Sequence, residues 1–188
     1  YPRMHVMSDG RVFMAGSLAL TQIVSTAEQT SNWEFLKPGD LGGSSRKNGQ
    51  REYAPSVLYD QDKVIFIGGR NVPIAKAEIV DLANRAAGWK ETDPMQFARV
   101  QHNATLLPDG TVLVTGGTQG DKGKPEAHGH NDGFNDLRIG QPIRAAEVWN
   151  PATKHWTVLA EEAVDRCYHS TAVLLPDATV LSAGRGEY

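Results

Sequence analysis

Apolar residues fall in short runs, such as Val12–Met14, Val64–Ile67 and Val112–Val114, each bounded by Gly, Asp, Asn, Lys or Thr. Runs this short, with no apolar recurrence at helical spacing, predict β-strands. One pattern returns four times: a polar start, an apolar strand, a turn, a second apolar strand and a closing small-residue pair. The units lie near 4–16, 54–69, 99–117 and 166–184. They close at Gly16, Gly69, Gly117 and Gly184, so their ends are 53, 48 and 67 residues apart.

The turns have a chemical basis. Asp9-Gly10 and Asp109-Gly110 supply the positive φ that tight hairpins need. Asp177-Ala178 puts alanine where glycine is expected, which predicts a looser turn or another type. Further strands lie between the units, near 78–82 and 147–150, followed by Trp89 and Trp156, with Trp33 at a comparable place. These tryptophans are expected to pack between neighbouring sheets. A repeat near fifty residues with paired hairpins is the spacing of kelch-type repeats, and one such sheet cannot bury both faces alone. The expected fold is therefore all-β: a partial kelch-type β-propeller over 1–188, with about four blades in this chain and a larger, seven-bladed propeller as the whole. The polar stretch 119–140 lengthens the last step and reads as a loop insert. The chain begins inside the first unit and ends just after the fourth hairpin, which predicts a piece of a longer protein whose remaining blades are its partners.

Composition narrows the function. Net charge is −3 with no basic stripe, so no nucleic-acid partner is expected. No apolar stretch is long enough to span a bilayer. Cys167 is the one cysteine, so no disulfide forms within the chain.

The fourth unit carries the most specific motif. Arg166-Cys167-Tyr168-His169-Ser170, followed by AVLLPDATVLSAG, resembles a segment of the copper-radical oxidases, the galactose oxidase and glyoxal oxidase group. Arg99–Gly117 resembles the preceding unit of that family, and Tyr1-Pro2 followed by MSDGRVFMAG resembles the unit that opens with an active-site tyrosine. The resemblance implies a copper ion and a tyrosyl radical. It makes Tyr1 the radical tyrosine, Tyr168 the axial tyrosine and His169 a histidine ligand, with Tyr1 and Tyr168 catalytic and all three on the metal. The family's linking cysteine and second histidine have no counterpart in this stretch. The implied substrates are small alcohols, aldehydes or carbohydrate groups, oxidised with dioxygen to give hydrogen peroxide. The resemblance alone favours a secreted or cell-surface setting. Phenolate and imidazole suit Cu(II), and a phenolate can act as general base. Neighbouring strand residues point to opposite faces, so Tyr168 and His169 can share one ion only where the pleat is broken, at a strand mouth.

Other candidates read as structural. His102, taken as the counterpart of His169, lacks a tyrosine before it and is expected to brace a blade. Cys167 reads as a buried structural thiol. His128, His130 and Asp132 lie in a glycine-rich surface loop. Arg51 and Arg70 are candidates for a substrate entrance. Two function classes follow: a copper-radical oxidase, or a non-catalytic kelch scaffold that binds a protein or glycan.

Overall fold

The structure, a computed structural model, describes residues 2–16, 18–25, 33–35, 46–121 and 140–184, with the backbone alone at 33–35 and 121. Three four-stranded antiparallel sheets follow one another along the chain. The first contains β1 (Met4–Val6), β2 (Val12–Met14), β3 (Gln22–Val24) and β4 (Trp33–Phe35) in that spatial order. The second contains β5 (Ser56–Asp60), β6 (Lys63–Ile67), β7 (Ala77–Asp81) and β8 (Lys90–Thr92) in the same order. The third contains β9 (Asn103–Leu106), β10 (Val112–Thr115), β13 (Ala145–Trp149) and β14 (Trp156–Glu161). A short ladder of β11 (Thr118–Asp121) and β12 (Gly140–Pro142) interrupts the third sheet, and a hairpin of β15 (Thr171–Leu174) and β16 (Val180–Ala183) closes the described chain. The ends of the expected loop insert 119–140 thus pair as strands, while 122–139, with His128, His130 and Asp132, lie outside the described residues. Among the described residues the one helical element is a 3-10 turn at Arg85–Ala87.

The inner hairpins repeat in register: Val6 faces Val12, Leu106 faces Val112, and Leu174 faces Val180. Their turns are also alike. Met7, Leu107 and Leu175 each accept a bond from the third residue on and donate to the fourth. The residue between is left-handed: Gly10 at φ 84°, Gly110 at 82° and Ala178 at 67°. This is a three-residue loop closed by a G1 bulge. The expectation of a different turn at Asp177-Ala178 is therefore wrong. Asp177 Oδ1 accepts from both the Thr179 N–H and hydroxyl, as Asp109 does from Thr111, and those bonds hold alanine in the glycine conformation.

The core lies between sheets, and β6 shows why. Its residues alternate: Val64 and Phe66 face the first sheet, packing with Met7, Phe13, Ile23 and Trp89. Ile65 and Ile67 face the third, packing with Val112, Val114 and Trp149. A strand buried on both faces needs an unbroken apolar run, which Val64–Ile67 supplies. Trp89 packs as expected, 6.3 Å from the Phe13 ring. Trp149, not Trp156, fills the next gap: it is fully buried, edge-on to Tyr59, and its indole N–H donates to Thr92 Oγ1 at 3.1 Å. Trp156 lies at the margin, donating to the Asp93 carbonyl.

Two fully buried ion pairs tie the strand entries to the third strands. Arg51 Nη2 meets Glu78 Oε2 at 2.6 Å, and Arg99 Nη2 meets Glu147 Oε2 at 2.5 Å. Burial lowers the Arg51 pKa to about 10, which leaves it charged at neutral pH. Arg51 therefore cannot line a substrate entrance, because its guanidinium is spent inside the second sheet. Arg70 is exposed, beside Gln50 and Glu52.

Candidate functional site

Strands β1, β5, β9 and β15 lie side by side, one from each unit. The His5 ring bonds the Ser56 hydroxyl at 2.7 Å, and Asn103 Nδ2 donates to Ser170 Oγ at 3.0 Å. At their entries the units are stitched together: Arg3 Nε donates to the Ala54 carbonyl, Gln101 N–H to the Tyr53 carbonyl, and Gly117 N–H to the Arg166 carbonyl. Gly116 is required here, because at φ 65° a Cβ would sit 2.2 Å from the Arg166 oxygen. These contacts gather residues of four units around one cavity of about 320 Å3, lined by Arg3, Tyr53, Gln101, His102, Asn103, Tyr168, His169 and Ser170.

Tyr168 and His169 lie together at its wall. A turn closed by Ser170 N–H to the Cys167 carbonyl carries them, with His169 left-handed at φ 60°. The break in the pleat puts both rings on one side, stacked with centroids 3.7 Å apart. Tyr168 is half-buried and meets the Tyr53 ring edge-on at 6.1 Å, while His169 is exposed. Tyr1 lies outside the described residues; Arg3, two positions on, lines the cavity.

The equivalence of His102 and His169 does not hold. Counting back from Leu-Leu-Pro-Asp, and by strand register, Asn103 matches Thr171, so His102 matches Ser170 and Gln101 matches His169. His102 is buried against Gly68 and Gly117, and desolvation, then the Arg99 charge, holds its imidazole well below the usual pKa. It is a neutral wall residue. Cys167 is fully buried, its thiol donating to the Gly117 carbonyl at 3.4 Å and pushed up to about 12 by burial. It is a structural thiol here.

Tyr53 and Gln101 were not singled out from the sequence. In the sequence each stands two residues after an arginine, Arg51 and Arg99; that each is left-handed like His169, at φ 52° and 61°, is decided by the fold. Among the described residues no three His, Cys, Asp or Glu side chains converge on one point. The donors at the cavity are instead a phenol and an imidazole side by side, a pair whose types suit copper but which is a partial ligand set.

An up-and-down succession of antiparallel sheets with joined inner strands defines the propeller class of all-β proteins. No family model matches the chain. Galactose oxidase of Gibberella zeae is 27% identical over 194 residues, covering 94% of this chain and 25% of that protein. An aldehyde oxidase, GLOX, of Vitis pseudoreticulata is 26% identical over 204 residues, covering all of this chain and 36% of that protein. The chain is thus similar to the copper-radical oxidases, and it spans about a quarter to a third of the length of these relatives. A fungal alcohol oxidase of the AA5 family, solved in complex with copper, superposes with a TM-score of 0.79 at 24% identity, over 98% of this chain and 36% of that one. The structure of YjhT superposes with a TM-score of 0.64 at 14% identity, over 91% of this chain and 54% of that one. These two likenesses show the fold.

Proposed function

We propose that this chain is part of a copper-radical oxidase that oxidises small alcohols, aldehydes or carbohydrate groups. The observation that carries the reading is the stacked Tyr168-His169 pair at the wall of the cavity, in a chain similar to galactose oxidase and an aldehyde oxidase. Tyr168 and His169 would hold the copper, with Tyr1 as the second tyrosine and the site of the radical. When bound, copper with the radical would supply a two-electron oxidant, with dioxygen as the final acceptor giving hydrogen peroxide. The protein's own residues bind and orient the substrate in the cavity that Tyr53 and Tyr168 line, and the Tyr168 phenolate accepts the substrate hydroxyl proton. The stacking of Tyr168 on His169 and its edge contact with Tyr53 hold that oxygen in one orientation. Further blades of a seven-bladed propeller would cover apolar side chains left exposed here, such as Val173 and Leu181, which face each other across the last hairpin.

Metal analysis of the full-length protein tests the reading. Copper near one equivalent is expected, falling sharply in His169→Ala, with peroxide released from alcohols or aldehydes. A copper-free protein, or a His169→Ala variant with full activity, refutes it and leaves the scaffold reading.

A further inference from the structure

Arg166 repeats the hydrogen bonds of Arg51 and Arg99 but, among the described residues, not their ion pair. Its carbonyl accepts from the Gly117 N–H at 2.6 Å, as the Arg99 carbonyl accepts from the Gly69 N–H at 2.9 Å. Its guanidinium donates to the Gly184 carbonyl at 2.8 Å, as Arg99 donates to Gly116 at 2.9 Å and Arg51 to Gly68 at 3.4 Å. Arg166 stands one residue further from its strand than Arg99 does, so the bonds rather than the count make the two equivalent. Arg51 and Arg99 each meet a buried glutamate from the third strand of their sheet: Glu78 lies opposite Phe66, and Glu147 opposite Val114. Phe66 and Val114 each stand two residues before the glycine carbonyl that the arginine bonds. In the fourth unit that place belongs to Ser182, on β16, which pairs with β15 alone among the described residues. Arg166 is half-buried, and Asp165 beside it is engaged by Arg144 at 2.6 Å.

We propose that the open edge of β16 receives an antiparallel strand from the part of the full-length protein that follows this stretch, and that the strand carries a glutamate opposite Ser182 whose carboxylate pairs with Arg166. The inference deepens the propeller reading, in which a further blade covers the last hairpin, and it does not depend on the oxidase chemistry. In the three four-stranded sheets the third strand always follows the second in sequence and pairs with its far edge. An open edge is a row of unpaired N–H and C=O groups, ready to pair with such a strand. The strand that docks there covers the Arg166 guanidinium as β7 covers Arg51 and β13 covers Arg99. A guanidinium buried without a counter-charge is strongly unfavourable, so an apolar or basic residue opposite Ser182 does not serve. A carboxylate matches the planar fork of arginine and supplies the missing charge. The edge bears on the candidate site, because Tyr168 stands two residues after Arg166 in the turn that also carries His169.

The test is modification of the full-length protein by phenylglyoxal, an arginine reagent, with each site read by peptide mass spectrometry in native buffer and in urea. Arg166 is expected to react at least about tenfold more slowly in the native protein than in urea, as Arg51 and Arg99 do, because a buried group reacts only when the structure opens. A crystal structure of the same protein identifies the residue opposite Ser182. Replacing that glutamate by glutamine, which keeps its shape, should remove most of the protection at Arg166 and leave Arg51 and Arg99 protected. An Arg166 that reacts as fast in the native protein as in urea, a residue other than glutamate opposite Ser182, or protection that survives the glutamine substitution overturns the proposal. The native rates need no copper, so the two readings separate. If protection depends on the glutamate and the protein binds no copper, the inference stands and the oxidase reading falls. If copper binds and alcohols are oxidised while Arg166 stays reactive, the inference falls alone.

Discussion

Removing the carboxylate of Glu147 should be among the most damaging single changes in the described chain. Both members of the Arg99–Glu147 pair are fully buried, 2.5 Å apart. Arg99 also donates to the Gly116 carbonyl at 2.9 Å and the Ala145 carbonyl at 3.1 Å, and the second Glu147 oxygen accepts from the Gln96 N–H at 2.6 Å. In Glu147→Ala the guanidinium keeps its two carbonyl partners but loses its counter-charge, and the Gln96 donor loses its acceptor. Breaking a buried pair from one side costs about 3–5 kcal/mol. That is a large share of the roughly 5–15 kcal/mol that holds a domain folded. Urea unfolding followed by both fluorescence and circular dichroism is the assay, with coincident transitions licensing a two-state value. Asp60→Ala, which breaks an exposed pair with Lys63, is the control and should leave the midpoint unchanged. Replacing both partners, Arg99→Met with Glu147→Leu, should restore much of the loss, because the cost lies in the orphaned charge. A Glu147→Ala protein that loses less than about 1 kcal/mol, the value of a surface pair, would refute this account. The consequence reaches the cavity, since Arg99 stands two residues before Gln101 and its partner Gly116 packs on Arg166.

Tyr168→Phe in the full-length protein should keep much of its copper but lower kcat by about 100-fold or more, the usual worth of a positioned base; unchanged turnover would remove Tyr168 from the proton transfer. The 188-residue chain alone should show little or no peroxide release when loaded with copper, and robust turnover would show that its own residues complete the site. The His5 pKa is lowered by burial from 6.5 to about 4, so the unfolded chain binds that proton first. Stability is full above pH 6.5 and should fall by up to about 3 kcal/mol as pH drops towards 4, with His5→Gln flattening the slope; an unchanged slope counts against the assignment. Gly116→Ala should cost more than about 2 kcal/mol, adding a clash with the Arg166 carbonyl to backbone strain. Gly10→Ala meets only the strain, because a Cβ there has nothing within 4 Å, so equal midpoints for the two variants would refute the clash.

What the sequence determined by itself was local. Short apolar runs around Asp-Gly turns encode hairpins, because strand alternation and a left-handed loop residue are properties of a few neighbouring residues. The repeated Leu-Leu-Pro-Asp at 106–109 and 174–177 even contained the offset that pairs Gln101 with His169. The tertiary structure decided whatever depends on how one sheet stacks on the next. Arg51 reads as a surface charge until Glu78, from another strand, makes its burial possible. Trp149 reads as one more strand residue until Val57, Ile65 and Val112 close around it. Tyr53, Gln101 and Tyr168 are far apart in the chain and meet only because the strand entries of successive units are hydrogen-bonded to one another. Tyr53, Gln101 and His169 also stand at positive φ, where the alternation of faces breaks down. A rule built on that alternation cannot say where such side chains point, so the cavity they line emerges only from the folded chain.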